Sequence, residues 1–306
     1  MDEMYWQSGP RWPEHVRKSL EYPKEALYTM LDRSAEKSGN LPYTWFMGQT
    51  RTFADVKDHA DRIANFLSSK GIKPGDRVAI FLPNVPQFPP VFFGALKAGA
   101  KVVTCNPLYK APELKYQLTD TGATMVFVLD HPTFTPTCYE AVKGTDVDTV
   151  IVCSLKSFLP KVKAVLGGLL GKIPKSEYYE DDKTVFYDDI VTQYEPKSPQ
   201  AEVNPDDTAI LIYTGGTTGT PKGAELTHNN LVSNVLQIGE WTYLVKEDVD
   251  RPGGVRYGEE VFVGAVPWYH SYGMTLTLLM STWYAGQLVC VPDPRAGKPP
   301  LTDLLK

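Results

Sequence analysis

Between Tyr213 and Gly223 the chain reads YTGGTTGTPKG, four glycines and four threonines around a Pro-Lys pair. These residue types at this spacing suit a polyphosphate. Gly215, Gly216 and Gly219 let the backbone take positive φ and bring N–H groups close to an anion. Thr214, Thr217, Thr218 and Thr220 add hydroxyl donors, and Lys222 adds a compact positive charge. The lysine lies between Pro221 and Gly223, which excludes the Walker arrangement, where Gly-Lys-Ser/Thr closes the loop. The dinucleotide pattern GxGxxG fails as well. A nucleotide-phosphate loop of another type remains, against the plainer alternative of a glycine-rich surface turn.

A second constellation, Pro267-Trp268-Tyr269-His270-Ser271-Tyr272-Gly273, stands at the end of a strand-like run. In open α/β sheets ligands gather at the carboxyl ends of strands. Alone, a strand-end histidine reads as structural more often than as a substrate contact. His228, just behind Thr227, reads as structural at a helix start, and His15, His59 and His131 have no partners in their sequence neighbourhood.

Together the two segments resemble the adenylate-forming enzymes: acyl-CoA synthetases, aryl-CoA ligases, luciferases and the adenylation domains of peptide synthetases. The loop is similar to their Tyr/Phe-Thr-Ser-Gly-Thr-Thr-Gly-x-Pro-Lys-Gly at every fixed position but Gly215, where the family more often has serine. A side-chain role is lost there, and the backbone N–H remains. Pro267, His270 and Gly273 match the second motif, Pro-Leu/Met-Phe-His-x-x-Gly, with Tyr269 as its aromatic residue.

The resemblance implies the N-terminal part of an ATP-dependent acyl-CoA synthetase. It implies an ATP site formed by Thr214, Gly215, Gly216, Thr217, Thr218, Gly219, Thr220, Pro221, Lys222 and Gly223, with Lys222 and His270 catalytic. Trp268, Tyr269, His270, Tyr272 and Gly273 would form the substrate pocket, with Met274, Leu276 and Leu278 adding apolar surface. The implied substrate is a small-molecule carboxylate, a medium- or long-chain fatty acid, with coenzyme A as acceptor. Mg²⁺ would arrive on ATP, since no His/Cys/carboxylate cluster has metal-ligand spacing. An aryl-CoA ligase or a carrier-loading adenylation enzyme would use the same motifs. From another class, a non-catalytic phosphate-binding module remains the alternative. The family's later segments, Tyr-Gly-x-Thr-Glu, Thr-Gly-Asp, a hinge and a small C-terminal domain with a catalytic lysine, do not occur in these 306 residues. The expectation is therefore an N-terminal piece with a fragment boundary at Lys306, unable to turn over by itself.

The elements that must position these residues read as α/β: layered, mostly parallel sheets with helices on both faces. Helices are expected at 24–37, 54–70, 85–98 and 113–119, and strands at 77–82, 101–105, 124–129 and 149–153. Past the loop strand 208–213, a helix at 229–243 is expected with Thr227 as its N-cap. A strand at 261–267, a helix at 272–285 and a strand at 287–291 follow. The division expected is a first subdomain over 1–195, a Pro- and charge-rich linker over 196–207, and an incomplete second subdomain over 208–306.

Within the first part, 154–176 carries five lysines and no acid among leucines and valines. It reads as a surface excursion whose leucines pack on the domain, with a membrane-surface helix as the alternative. Composition narrows the partners: a net charge of −5 opposes nucleic acid. The four cysteines are far apart without a CxxC pair, which suits a reducing cytoplasm. The N-terminus lacks a signal-peptide layout, and no apolar run reaches the ~18 residues of a membrane span. A cytoplasmic protein is expected, with room for peripheral membrane contact and for a homo-oligomer in the full-length form.

Overall fold

The structure, a computed structural model, describes residues 12–13, 16–170, 173–176, 179, 182–199, 201–214, 220–242 and 256–293. Seven strands form the larger sheet, in the order β7-β6-β5-β3-β4-β8-β9. These are β3 (Arg77–Phe81), β4 (Lys101–Thr104), β5 (Met125–Leu129), β6 (Thr149–Cys153), β7 (Thr184–Phe186), β8 (Thr208–Thr214) and β9 (Lys222–Thr227). All neighbours run parallel except the edge pair β8–β9. A four-stranded sheet, β10-β11-β1-β2, combines β1 (Pro42–Phe46), β2 (Gln49–Thr52), β10 (Val261–Gly264) and β11 (Gln287–Cys290).

The interiors of the central strands are apolar because both faces of the sheet are covered. Val78 and Ile80 of β3 face one core with α2 (Phe53–Ser69) and α3 (Phe88–Lys97). Ala79 and Phe81 face another with α4 (Ala111–Thr121) and α5 (Phe134–Val142). The expected α/β architecture is thus observed. The remaining helices are α1 (Thr29–Ser38), α6 (Lys161–Leu169), α7 (Tyr187–Gln193) and α8 (His228–Trp241). A last helical run covers 271–283, and its middle, Met274–Leu279, is wound as a π-helix.

Local signals fix several ends. Thr52 and Asp55 form a reciprocal capping box at the start of α2, and Thr227 and Asn230 form another at α8, as Thr227 led one to expect. Other expectations shift. The first helix begins at Thr29, later than the expected start at 24. The strand expected over 261–267 ends at Gly264, because a side chain from another loop takes the backbone groups that follow. The β1–β2 hairpin, β7, β9, α5 and α7 were not anticipated. Both sheets draw strands from either side of the expected linker at 196–207, since β8 pairs with β4 and β11 with β1.

In the 154–176 excursion, Leu155 and Leu159 pack against the core as expected. Val162, Val165, Leu166 and Leu170 do not; they are exposed. Among the described residues no helix is long and apolar enough to cross a membrane.

Candidate active site

The order of the larger sheet creates a crevice. From β3 the chain leaves through α3 on one face and enters β4; from β5, the neighbour of β3 on its other side, it leaves through α5 on the opposite face and enters β6. These connections diverge and leave a gap between the carboxyl ends of β3 and β5, the usual ligand position in open α/β sheets. The second motif is held beside it, at the carboxyl ends of β3 and β4. Asn84, just beyond β3 and buried, donates from Nδ2 to the carbonyls of Gly264 and Val266, each at 2.8 Å. Its Oδ1 accepts from the Trp268 amide at 2.9 Å. At the end of β4, the Thr104 hydroxyl donates to the Tyr269 carbonyl at 3.0 Å. Gln117 on α4 in turn donates to the Thr104 carbonyl at 2.9 Å.

Inside the motif the residues take different positions. Trp268 is fully buried, its indole N–H donating to the Thr277 hydroxyl at 2.8 Å and its ring edge-on to Phe88. It underlies the segment in this conformation. Tyr269 is half-buried, while His270 and Tyr272 are exposed at the strand end. His270 caps the following helix, its Nδ1 accepting from the Tyr272 amide at 3.3 Å, which leaves Nε2 on the outward side of the ring. Gly273 is buried because a Cβ there would lie 2.3 Å from the Pro267 carbonyl oxygen. Met274 and Leu278 join the core, and Leu276 is half-buried.

The phosphate-loop segment leaves β8, the neighbour of β4 on the side away from β3. Gly215, Gly216, Thr217, Thr218 and Gly219 lie outside the described residues, as does the side chain of Thr214. The flanks are described. Thr214 and Lys222 are register partners, so β8 and β9 close the segment as a hairpin at the carboxyl edge of the parallel strands. Thr220 and Lys222 are exposed and Pro221 half-exposed.

Two tyrosines hold this base. The Tyr116 hydroxyl donates to the Pro221 carbonyl at 3.0 Å, and the Tyr213 hydroxyl donates to the Asp120 carboxylate. Burial, reinforced by that carboxylate, pushes the Tyr213 phenol well up, so it stays a donor. The rings meet edge-on, 6.4 Å between centroids. Gly223 lies under the Tyr213 ring, where a Cβ would sit 3.0 Å from Cε2.

Adjacent residues of α4 therefore serve both segments, Tyr116 at the phosphate loop and Gln117, through Thr104, at the second motif. Sequence reasoning missed Asn84, Thr104, Tyr116, Gln117 and Asp120. The available signal for Asn84 and Thr104 was a polar residue at or just past the carboxyl end of a strand whose interior is apolar.

The other histidines are accounted for differently. His228 is buried at the start of α8, where Nδ1 accepts from the Leu27 amide at 2.9 Å, and burial brings its pKa down to about 4. His59, against the Tyr187 hydroxyl at 2.9 Å, is likewise lowered to about 4 by burial and by Arg51. Among the described residues no group of three His, Cys, Asp or Glu side chains could hold a metal ion. The four cysteines are buried and none is in a disulfide.

Fold and site together define an α/β chain that holds both motif segments at the carboxyl ends of its parallel strands. The chain belongs to the AMP-binding enzyme family, whose model matches residues 31–306. It is 33% identical over 290 residues to a long-chain-fatty-acid–CoA ligase of Bacillus subtilis, covering 92% of this chain and 49% of that protein. A long-chain-fatty-acid–CoA ligase of Escherichia coli O157:H7 is 33% identical over 93% of this chain and 50% of its own length. The chain thus spans about half the length of the curated relatives it matches. Among solved structures, the long-chain-fatty-acid-CoA ligase FadD1 of Archaeoglobus fulgidus superposes with a TM-score of 0.70 at 24% identity, over 90% of this chain and 48% of that one. The anthranilate CoA ligase AuaEII, solved with anthranoyl-AMP, gives 0.72 at 20% identity over 91% and 47%. At these identities the structural likeness establishes the fold.

Proposed function

We propose that this chain is the N-terminal part of an ATP-dependent acyl-CoA synthetase acting on medium- or long-chain fatty acids in the cytoplasm. The observation that carries the reading is the attachment of both motif segments to the carboxyl ends of neighbouring strands. Thr104 holds the second motif at β4, and Tyr116 holds the phosphate-loop hairpin that leaves β8. The names of the curated relatives favour a fatty acid over an aryl substrate.

In the proposed reaction a carboxylate oxygen attacks the α-phosphorus of ATP, the bond to the bridging oxygen breaks, and pyrophosphate leaves with the electron pair. The product is an acyl-adenylate, from which the thiol of coenzyme A takes the acyl group and releases AMP. Charge grows on the leaving phosphates, so the first step needs positioned donors and cations more than a covalent nucleophile. Lys222 and the amides and hydroxyls of residues 214–223 would meet that charge. Mg²⁺ arriving with ATP would supply further neutralisation there. His270 and Tyr269 would orient the carboxylate beside the α-phosphate.

The test measures pyrophosphate release and acyl-CoA formation by the full-length protein with ATP, Mg²⁺, coenzyme A and a panel of alkyl and aryl carboxylates. Fatty-acid-dependent release of both products is expected, and no turnover from the 306-residue chain alone. Preference for aryl acids, or acyl-AMP accumulation without coenzyme A consumption, would replace this reading with an aryl-CoA ligase or a carrier-loading enzyme. Nucleotide binding without turnover by the full-length protein would leave a binding module.

A further inference from the structure

We propose that α6, together with the β1–β2 turn beside it, is a docking face for an anionic phospholipid bilayer. The helix is turned the wrong way for a simple surface element. Amphipathic surface helices bury their large aliphatic residues. Among the described residues of α6 the inward ones are small: Ala164 is buried, and Gly167 packs so closely that a Cβ on it would lie 2.9 Å from Ile173. Val162, Val165, Leu166 and Leu170 point outward, with 70%, 59%, 52% and 64% of their surfaces exposed. Positions 162, 166 and 170 recur every fourth residue and 165 flanks them, so they make one continuous stripe.

A second element adds to the stripe. Lys163 Nζ donates to the Met47 carbonyl at 2.8 Å, tying the β1–β2 turn to α6. Met47 itself is exposed, with positive φ, at the tip of that turn. The apolar face thus has contributions from two segments more than a hundred residues apart in sequence.

Charge selects the occupant. Residues 154–176 hold Lys156, Lys161, Lys163, Lys172 and Lys175 and no acid, in a chain whose net charge is −5. The exposed aliphatic stripe, with Lys156, Lys163 and Lys175 exposed in the same excursion, matches a bilayer whose headgroups are anionic and whose acyl region accepts the side chains. The excursion also starts from the carboxyl end of β6, the edge of the sheet at which the candidate active site lies. A bound enzyme would thereby present that edge toward the phase in which long-chain fatty acids dissolve. The docking itself does not depend on the adenylation reading, and it is measured without ATP or substrate.

The test is co-sedimentation of the chain with vesicles of equimolar phosphatidylglycerol and phosphatidylcholine, against pure phosphatidylcholine. Partition into the anionic vesicles is expected at low ionic strength and loss of it near 1 M salt, where the Debye length is about 3 Å. The double variant Val162→Ser/Leu166→Ser removes exposed groups only, so its melting temperature should match the parent while partition falls about tenfold or more. Lys156→Gln/Lys175→Gln should weaken partition by about fivefold per lysine. Absence of partition by the parent chain overturns the proposal, as does equal partition into neutral vesicles. Concentration-dependent self-association that Val162→Ser/Leu166→Ser abolishes, without vesicle binding, assigns the face to a second copy and overturns it too.

Discussion

The Thr104 hydroxyl and the Tyr269 carbonyl are joined at 3.0 Å across 165 residues of chain. Through this bond the last residue of β4 sets the position of the residue preceding His270. Thr104→Val keeps the shape and removes the donor, leaving a partly buried carbonyl unsatisfied at a cost of about 1–3 kcal/mol. If the full-length protein is the proposed synthetase and His270 orients its carboxylate, the displacement of His270 should lower kcat/KM for that substrate by about tenfold or more. The KM for coenzyme A should stay unchanged, and Thr104→Ser should restore the parent values. Thermal melts and steady-state kinetics check this; an unaltered kcat/KM in Thr104→Val would show that the bond does not position the histidine.

Asn84 is the companion device at β3. One amide side chain satisfies the carbonyls of Gly264 and Val266 and the amide of Trp268. Asn84→Ala deletes the three bonds together, and at about 1 kcal/mol each the stability loss should be about 3 kcal/mol. Asn84→Asp is nearly isosteric, yet at neutral pH it sets a carboxylate oxygen against two carbonyls, so it should be at least as destabilised. Urea denaturation with an unchanged m-value measures both. A stable Asn84→Asp would mean that the 264–268 segment is held by other contacts.

These two residues also mark where sequence reading stops. Strands β3 to β6 and β8 were legible because buried parallel strands are runs of apolar residues between Gly and Pro punctuation. The stretch that becomes β9, KGAELT, is exposed along most of its length and carries no such run. It is a strand only because β8 supplies its hydrogen bonds. Trp268 shows the same limit at the site. Beside His270 in the sequence it reads as pocket lining, whereas Thr277, Asn84 and Phe88 hold it in the core. The motifs themselves were legible since their chemistry is local; the bonds that bring them together are tertiary and leave only lone polar residues at strand ends.

Lys222 tests the phosphate side. Its backbone opens β9 opposite Thr214, and its residue is exposed, so Lys222→Ala should shift stability by no more than about 1 kcal/mol. If the ammonium meets charge on the leaving phosphates, pyrophosphate release by the full-length enzyme should fall about 100-fold, the usual scale for one transition-state donor. Lys222→Arg should recover little, because a planar fork does not replace a compact point charge. Single-turnover pyrophosphate release separates this step from thioester formation. A rate within a factor of about two of the parent would remove Lys222 from the proposed machinery.

His228 and His59 predict how stability follows pH. Both have folded-state pKa values lowered to about 4, with burial the main cause, against an ordinary value near 6.5. The folded chain therefore holds both rings neutral where the unfolded chain begins to protonate them. Their contribution is complete above about pH 6.5 and is lost as pH falls toward 4, since the unfolded state binds the extra protons. Each pH unit between the folded and unfolded values corresponds to about 1.4 kcal/mol, so each ring should account for roughly 3 kcal/mol across that window. His228→Gln keeps an acceptor for the Leu27 amide and removes one titration, so it should about halve the slope of stability against pH while changing stability little at neutral pH. Urea titrations between pH 4 and 7 read the slope directly, and a slope unaffected by His228→Gln would mean that the ring titrates in the fold as it does in the unfolded chain.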